Sequence, residues 1–146
     1  MLKTISWELA FKDLRAILPS SAYFTPDSIL RAADEIGALV QRKKMAESEQ
    51  DDLFILRELL AHAKPAHSLV LVTDICFRAG GEPFILLYAD IEDFAKQYRQ
   101  STGEVVVSGG DLVIVCNGSR FVSFWHHEGY AATIKSTTGT RQSISR

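Results

Sequence analysis

Cysteine is scarce in this 146-residue chain, which contains only Cys76 and Cys116. Two cysteines are too few for a disulfide framework, and their spacing does not form a CxxC pair. We therefore expect two reduced, buried thiols. The chain also lacks a run of about 18 apolar residues, which a membrane-spanning helix needs, and the apolar core of a signal peptide. These absences predict a cytoplasmic protein that does not enter the membrane.

A strong charge of either sign is missing as well. The formal net charge is −2 at pH 7, whereas a nucleic-acid-binding domain usually carries a basic excess that contacts phosphates. The charge is also too small for a protein that mimics DNA with a dense acidic surface. The composition, with 47% hydrophobic and 23% charged residues, is typical of a globular protein. We therefore expect residues 1–146 to form one domain without a nucleic-acid partner.

Catalytic and cofactor-binding motifs are absent too, because the sequence contains no HExxH, no GxxxxGK[ST] and no GxGxxG. The most suggestive group is His126-His127-Glu128. Adjacent side chains of a strand point to opposite faces, so we do not expect the two histidines to share a metal ion. His126 and Glu128 could share one, although a third ligand would have to come from elsewhere. Cys116, Asp111 and a histidine form the nearest nucleophilic group, but the predicted strands separate them. We therefore predict no catalytic residue, no metal ligand and no cofactor.

The first half of the chain, residues 1–65, has the apolar spacing of helices. One pattern ends at Pro19. A second begins with Thr25 as the N-cap and Pro26 in the first helical position, which is a favoured pair. Its apolar residues extend to Val40, and the basic residues 42–44 close the predicted helix. Asp51 starts a third helix that Pro65 stops.

The second half, residues 68–130, changes to the pattern of strands. A helix that begins at Asp90 interrupts it, and residues 131–146 are expected to fray. The predicted strands are residues 69–77, 83–89, 105–107, 111–116 and a return strand after the turn at residues 117–118. The fold class is therefore α+β: N-terminal helices followed by a mainly antiparallel sheet of four to five strands with one inserted helix.

The pair Asn117-Gly118 is the strongest local signal, because both residues tolerate the positive φ of a two-residue type I′ hairpin. Such a turn would pair Cys116 with Ser119 and Ile114 with Phe121. Both faces of this hairpin are largely apolar. We therefore expect it to lie at the centre of the sheet, with helices or a partner covering each face.

The segment from about Ser68 to Tyr130 resembles the C-terminal half of small bacterial immunity proteins of the contact-dependent growth inhibition type. The matching features are an apolar hairpin, the inserted helix DIEDFAKQYRQ, the strand and turn VVVSGGDLVIVC, and a last strand that ends in FWHHEGY. The resemblance implies a cytoplasmic protein that binds one cognate toxin domain, commonly a nuclease with a basic cleft, and blocks its active site.

Acidic side chains would complement a basic toxin cleft, and the resemblance makes five of them candidate partner contacts: Asp90, Glu92, Asp93, Asp111 and Glu128. The three at the start of the inserted helix also suit capping and the helix dipole. Two alternatives stay open. One is a small hydrolase or metal-dependent enzyme that uses His126 and Glu128. The other is a homo-oligomeric structural protein, such as a homodimer, whose apolar sheet face packs on a second copy.

Overall fold

The computed structural model describes residues 2–45, 51–107 and 110–136. Within these ranges four α-helices accompany one six-stranded antiparallel sheet with the strand order β1-β6-β5-β4-β2-β3. The helices are α1 (Trp7–Ile17), α2 (Pro26–Glu35), α3 (Asp52–Leu59) and α4 (Ile91–Thr102). The strands are β1 (Leu39–Lys44), β2 (Ser68–Thr73), β3 (Phe84–Leu87), β4 (Leu112–Cys116), β5 (Phe121–His126) and β6 (Tyr130–Lys135). The predicted α+β class is confirmed, with one strand more than the four to five expected.

The helix starts follow the capping residues of the sequence. The Thr25 hydroxyl accepts a hydrogen bond from the backbone N–H of Ser28 at 3.4 Å, with Pro26 in the first turn. The Asp51 carboxylate accepts one from the N–H of Phe54 at 3.4 Å. Both bonds satisfy amides that have no partner within the helix. The predicted beginnings of α2 and α3 are therefore confirmed.

The predicted end of α2 is wrong, because α2 stops at Glu35 and residues 39–44 form β1. Gly37 has a φ of 64°, a left-handed conformation that ends a helix readily. The segment then pairs with β6, from Leu39 opposite Lys135 to Lys44 opposite Tyr130. The basic residues that were expected to close a helix instead lie on an edge strand, where exposed charges discourage pairing with other chains.

The predicted frayed tail is also partly wrong, because Tyr130–Lys135 forms β6 between β1 and β5. Its apolar side chains, such as Ala132 and Ile134, are buried. Its Thr residue and two Ala residues gave little strand signal in the sequence, so its order comes from pairing on both sides. The rest of the predicted tail, residues 137–146, lies outside the described residues.

Two further strand predictions are corrected. Residues 105–107 form no strand, since the backbone N–H groups of Val106 and Val107 donate to the Asp52 carboxylate at 3.2 and 2.7 Å. The side chain at the start of α3 thus takes the place of a neighbouring strand. The strand predicted over residues 69–77 ends at Thr73, where a 3-10 turn, Asp74–Phe77, begins.

The central hairpin has a four-residue turn instead of the predicted two-residue turn. Cys116 pairs with Phe121 and Ile114 pairs with Ser123, and Arg120 takes the left-handed φ of 56°. The predicted pairing of Cys116 with Ser119 is therefore wrong by two residues. A shift of two residues keeps every side chain on its predicted face, because the side-chain period of a strand is two.

Helices cover both faces of the central strands, as the sequence predicted. Every residue of β4 is buried. On one face, the hydroxyl of Ser123 donates to the carbonyl of Leu59 in α3, and the hydroxyl of Tyr98 in α4 reaches Thr73 of β2. Since the opposite face is equally buried, α1 and α2, which also contact β5, cover it. An apolar sheet face is thus not available for packing on a second copy, and a homodimer would need another surface.

Two smaller findings complete the description. Cys76 and Cys116 are both free and buried, as expected. Among the described residues no helix is long and apolar enough to cross a membrane.

Candidate functional site

Two adjacent histidines lie at the end of β5, where the chain turns into β6. His126 is the last residue of the strand, and the backbone N–H of Gly129 donates to its carbonyl at 2.9 Å. His127 already belongs to this turn, so its side chain does not follow the alternation of the strand. The two imidazole rings stack with centroids 4.2 Å apart and an interplanar angle of 25°. The prediction that these histidines point to opposite faces is therefore wrong.

Asp111 joins the two histidines from the neighbouring strand. It immediately precedes β4, whose first residue, Leu112, pairs with Trp125 of β5. Its Oδ1 atom accepts two hydrogen bonds from His127, one from the backbone N–H at 2.8 Å and one at Nδ1, 2.9 Å away. Asp111, His126 and His127 each offer one metal-ligating atom, and these atoms lie within 4.8 Å of one another. We call these three residues the histidine cluster.

The histidine cluster lies in acidic surroundings. The backbone N–H of Glu128 donates to His126 Nδ1 at 3.1 Å, and the Glu128 Oε1 atom lies 3.7 Å from the same nitrogen. Asp74 is close enough to Gly110 that a side chain there would clash with its carboxylate. The hydrogen bond from Asp111, followed by the charges of Asp111, Glu128 and Asp74, raises the pKa of His127 above its ordinary value. The cluster therefore favours positive charge, whether a proton or a metal ion.

Aromatic packing fixes one of the two histidines. The ring of Tyr130 stacks on His126 with centroids 4.7 Å apart and an interplanar angle of 17°. The side chain of His126 is 12% exposed, while that of His127 is 53% exposed. One histidine is thus held in place by its neighbours, and the other lies in solvent.

Cys116 lies far from the histidine cluster, as predicted. It pairs with Phe121, which is five residues before His126, so about 17 Å of strand separates the two positions. Its sulfur instead lies 3.9 Å from His67 Nδ1, and the Ser119 hydroxyl lies 2.5 Å from that nitrogen. In the sequence His67 stands alone, and only the four-residue turn brings it to these partners.

The arrangement around His67 suits a structural role. The backbone N–H of Lys64 also donates to Nδ1, at 3.3 Å, so this nitrogen is an acceptor. A side chain on Gly118 would come within 2.9 Å of the His67 ring. Among the described residues no carboxylate forms a hydrogen bond with this ring, so it lacks the orienting third group of a nucleophilic triad. We interpret His67 as a support for the β4–β5 turn.

A groove of about 420 Å³ lies between the N-terminal segment, β3 and α4. The N-terminal segment runs beside β3, where the N–H of Ile5 donates to the carbonyl of Pro83 at 3.0 Å. The lining residues are Leu2, Lys3, Ser68, Ile85, Leu86, Leu87, Asp90, Asp93, Phe94 and Gln97. We call this surface the β3–α4 groove. Its Leu87 is 44% exposed, which is unusual for a large apolar residue of a strand.

Two of the predicted contact residues, Asp90 and Asp93, line the β3–α4 groove. Asp90 occupies the N-cap position of α4, but its side chain makes no capping hydrogen bond. The capping role that the sequence suggested for its carboxylate is therefore wrong. Glu92 is engaged elsewhere, in an exposed ion pair of 3.0 Å with Arg57.

The five predicted contact residues do not form one surface. The groove lies at the Ser68 end of β2, whereas Asp111 lies beyond the other end, because Leu112 pairs with Thr73. The five residue steps of β2 correspond to about 17 Å. Asp111 and Glu128 belong to the histidine cluster and its surroundings. The structure thus has two candidate sites, one at each end of the strands.

Comparison of the chain with protein-family models, with curated proteins and with solved structures finds no match in any of the three.

Proposed function

We propose that this protein is an immunity protein that binds a cognate toxin domain, and that the β3–α4 groove is the contact surface. The observation that carries the proposal is the position of Asp90 and Asp93. Their carboxylates flank an exposed apolar floor, and the Asp90 side chain is not used to cap α4.

The groove has the anatomy of a protein-binding site. Interfaces gain most of their affinity from an apolar centre that is sealed by a polar rim. Leu87 supplies exposed apolar surface at the centre, and Phe94 lines the same groove from α4. Asp90 and Asp93 supply the rim, and their spacing of three residues places them on one side of the helix. A matching partner presents an apolar side chain flanked by lysine or arginine.

This charge pattern fits the toxin class that the resemblance implies. A nuclease domain holds its substrate with cationic side chains, and carboxylates on an inhibitor can occupy the positions of phosphates. Opposite charges also speed association and select against wrong partners. The toxin is then inhibited because the bound inhibitor closes the cleft to its substrate.

The proposal is tested by co-expressing the chain with the C-terminal toxin region encoded by the gene immediately upstream. We expect the two proteins to co-purify as a complex, and we expect toxin activity to fall in proportion to the inhibitor added. Independent elution of the two proteins, with undiminished toxin activity, would contradict the proposal.

One observation favours a second candidate function, a metal-dependent hydrolase. The histidine cluster offers two imidazoles and a carboxylate, and three protein ligands leave a coordination position for a reactive water. This version replaces Glu128 with Asp111 and His127 as the partners of His126. It predicts zinc-dependent hydrolysis of a phosphate ester by the isolated protein. Lack of turnover by the zinc-loaded protein would count against the enzyme and leave the immunity proposal intact.

A further inference from the structure

We propose that Asp111, His126 and His127 form a binding site for a divalent transition-metal ion, with Zn²⁺ as the best match. This inference is independent of the proposed function, because the site lies at the opposite end of the sheet from the β3–α4 groove.

The donor atoms have the right chemistry and nearly the right spacing. Imidazole nitrogen and carboxylate oxygen bind Zn²⁺ at about 2.0 to 2.2 Å, so neighbouring ligand atoms lie roughly 3.0 to 3.5 Å apart. The 2.9 Å between His127 Nδ1 and Asp111 Oδ1 is close to this range. The widest separation in the set is within 4.8 Å, so a small rotation of the exposed His127 ring would complete the site.

The surroundings favour a cation over an empty site. Glu128 lies beside His126, with its Oε1 atom 3.7 Å from Nδ1, and can accept the proton of the nitrogen that does not bind metal. Such carboxylate–histidine pairs orient the ligands of many zinc sites. Asp74, behind Gly110, adds a further negative charge nearby. The stack of Tyr130 on His126 holds that ring in place before the ion arrives.

A purely structural role explains only part of this arrangement. The hydrogen bonds from His127 to Asp111 could serve to fasten the β5–β6 turn to β4. That role does not involve the His126 ring, which forms hydrogen bonds with neither residue in the described structure. A metal site needs both histidines. Replacement of His126 therefore distinguishes the two roles.

The test is a calorimetric titration of the tag-free protein with ZnCl₂, repeated for Asp111→Asn, His126→Gln and His127→Gln. His62→Gln is the matched control, since His62 is exposed and lies outside the cluster. We expect one Zn²⁺ per chain and a loss of at least about tenfold in affinity for each cluster variant, because loss of even an outer-shell partner costs that much. The control should bind as the wild type does.

Two further measurements make the result decisive. Circular dichroism of each variant without metal identifies loss of folding, and Asp111→Asn keeps an oxygen that can accept the His127 N–H. Titration with Co²⁺ should produce the visible absorption bands of a cobalt–imidazole site in the wild type and in His62→Gln only. Wild-type affinity in a folded His126→Gln protein, or equal losses in His62→Gln, would overturn the proposal.

Discussion

Ser123 is a fully buried polar residue at the centre of the sheet. Its hydroxyl donates to the carbonyl of Leu59 at 2.8 Å and lies 3.0 Å from the Thr133 hydroxyl, so it joins α3 to β5 and β6. Ser123→Ala leaves that carbonyl without its partner, and we expect a loss of about 1 to 3 kcal/mol in the free energy of unfolding.

Urea unfolding followed by tryptophan fluorescence measures this loss. The control is Ser101→Ala, which replaces an exposed serine of α4 and should leave stability within about 0.5 kcal/mol of the wild type. Equal stabilities of Ser123→Ala and the wild type would show that this hydrogen bond does not stabilise the fold.

Tyr98 makes stability depend on alkaline pH. Burial raises its pKa above the ordinary value of 10.0, and burial likewise raises the pKa of Cys76 above 9.0. A group whose pKa is higher in the folded state contributes stability that is complete below the unfolded pKa and is lost as pH rises through the folded pKa. We therefore expect the free energy of unfolding to fall from about pH 9 upward.

The variant Tyr98→Phe separates the tyrosine from the cysteine. It loses the hydrogen bond from the Tyr98 hydroxyl to Thr73 and should be about 1 kcal/mol less stable at neutral pH. Its deficit relative to the wild type should shrink above about pH 10, because it has no phenol to ionise. A deficit that stays constant up to about pH 11 would contradict the assignment.

Gly103 ends α4 with a φ of 76°, and its N–H donates to the carbonyl of Arg99. A Cβ atom there would meet no heavy atom within 4 Å, so a substitution disturbs only the backbone. We expect Gly103→Ala to cost about 1 to 2 kcal/mol, because the left-handed conformation is unfavourable for residues with a Cβ. Gly103→Asn should cost less, since asparagine tolerates this conformation better.

Thermal unfolding of these variants tests the role of the helix end. The control is Gln100→Ala, an exposed substitution within α4 that should leave the melting temperature nearly unchanged. The reverse order, with Gly103→Ala as stable as the wild type, would mean that the end of α4 does not depend on Gly103.

The sequence predicted the elements that local chemistry determines. Thr25, Pro26 and Asp51 mark helix starts because side-chain capping acts over three residues, and the structure confirms them. It did not predict elements that depend on distant partners. The strand β6 is ordered by β1 and β5 on its two sides, and neither contact is visible in a local pattern. The register of the β4–β5 hairpin failed for the same reason, since His67 from another part of the chain supports its turn.

The candidate sites divide in the same way. Asp90 and Asp93 were identified because they are neighbours on one helix, and the structure places both in the β3–α4 groove. The histidine cluster was missed because the alternation rule was applied to His127, which lies beyond the end of β5. The signal that could have revealed it is Gly129, whose φ of 97° indicates that the strand has already turned.

On the scale of the whole molecule, the two sites lie at opposite ends of the strands and share no residue. Residues more than about 7 to 10 Å apart without common partners usually act independently. We therefore expect Asp90→Asn/Asp93→Asn to leave zinc affinity unchanged, and His127→Gln to leave toxin affinity unchanged. Titration calorimetry of each variant with ZnCl₂ and with the toxin domain measures both. A change in the distant site would mean that the two ends are coupled.

The most direct measurement of the central claim is the affinity of Asp90→Asn/Asp93→Asn for the toxin domain, compared with Asp34→Asn/Glu35→Asn as a charge-matched control at the exposed end of α2. The account predicts at least about tenfold weaker binding for the groove variant, because removing one partner of an interfacial charge pair costs about 2 to 5 kcal/mol. It also predicts a smaller dependence on salt for that variant and wild-type affinity for the control. Equal affinities of the two variants would contradict the assignment of the β3–α4 groove as the toxin-binding surface.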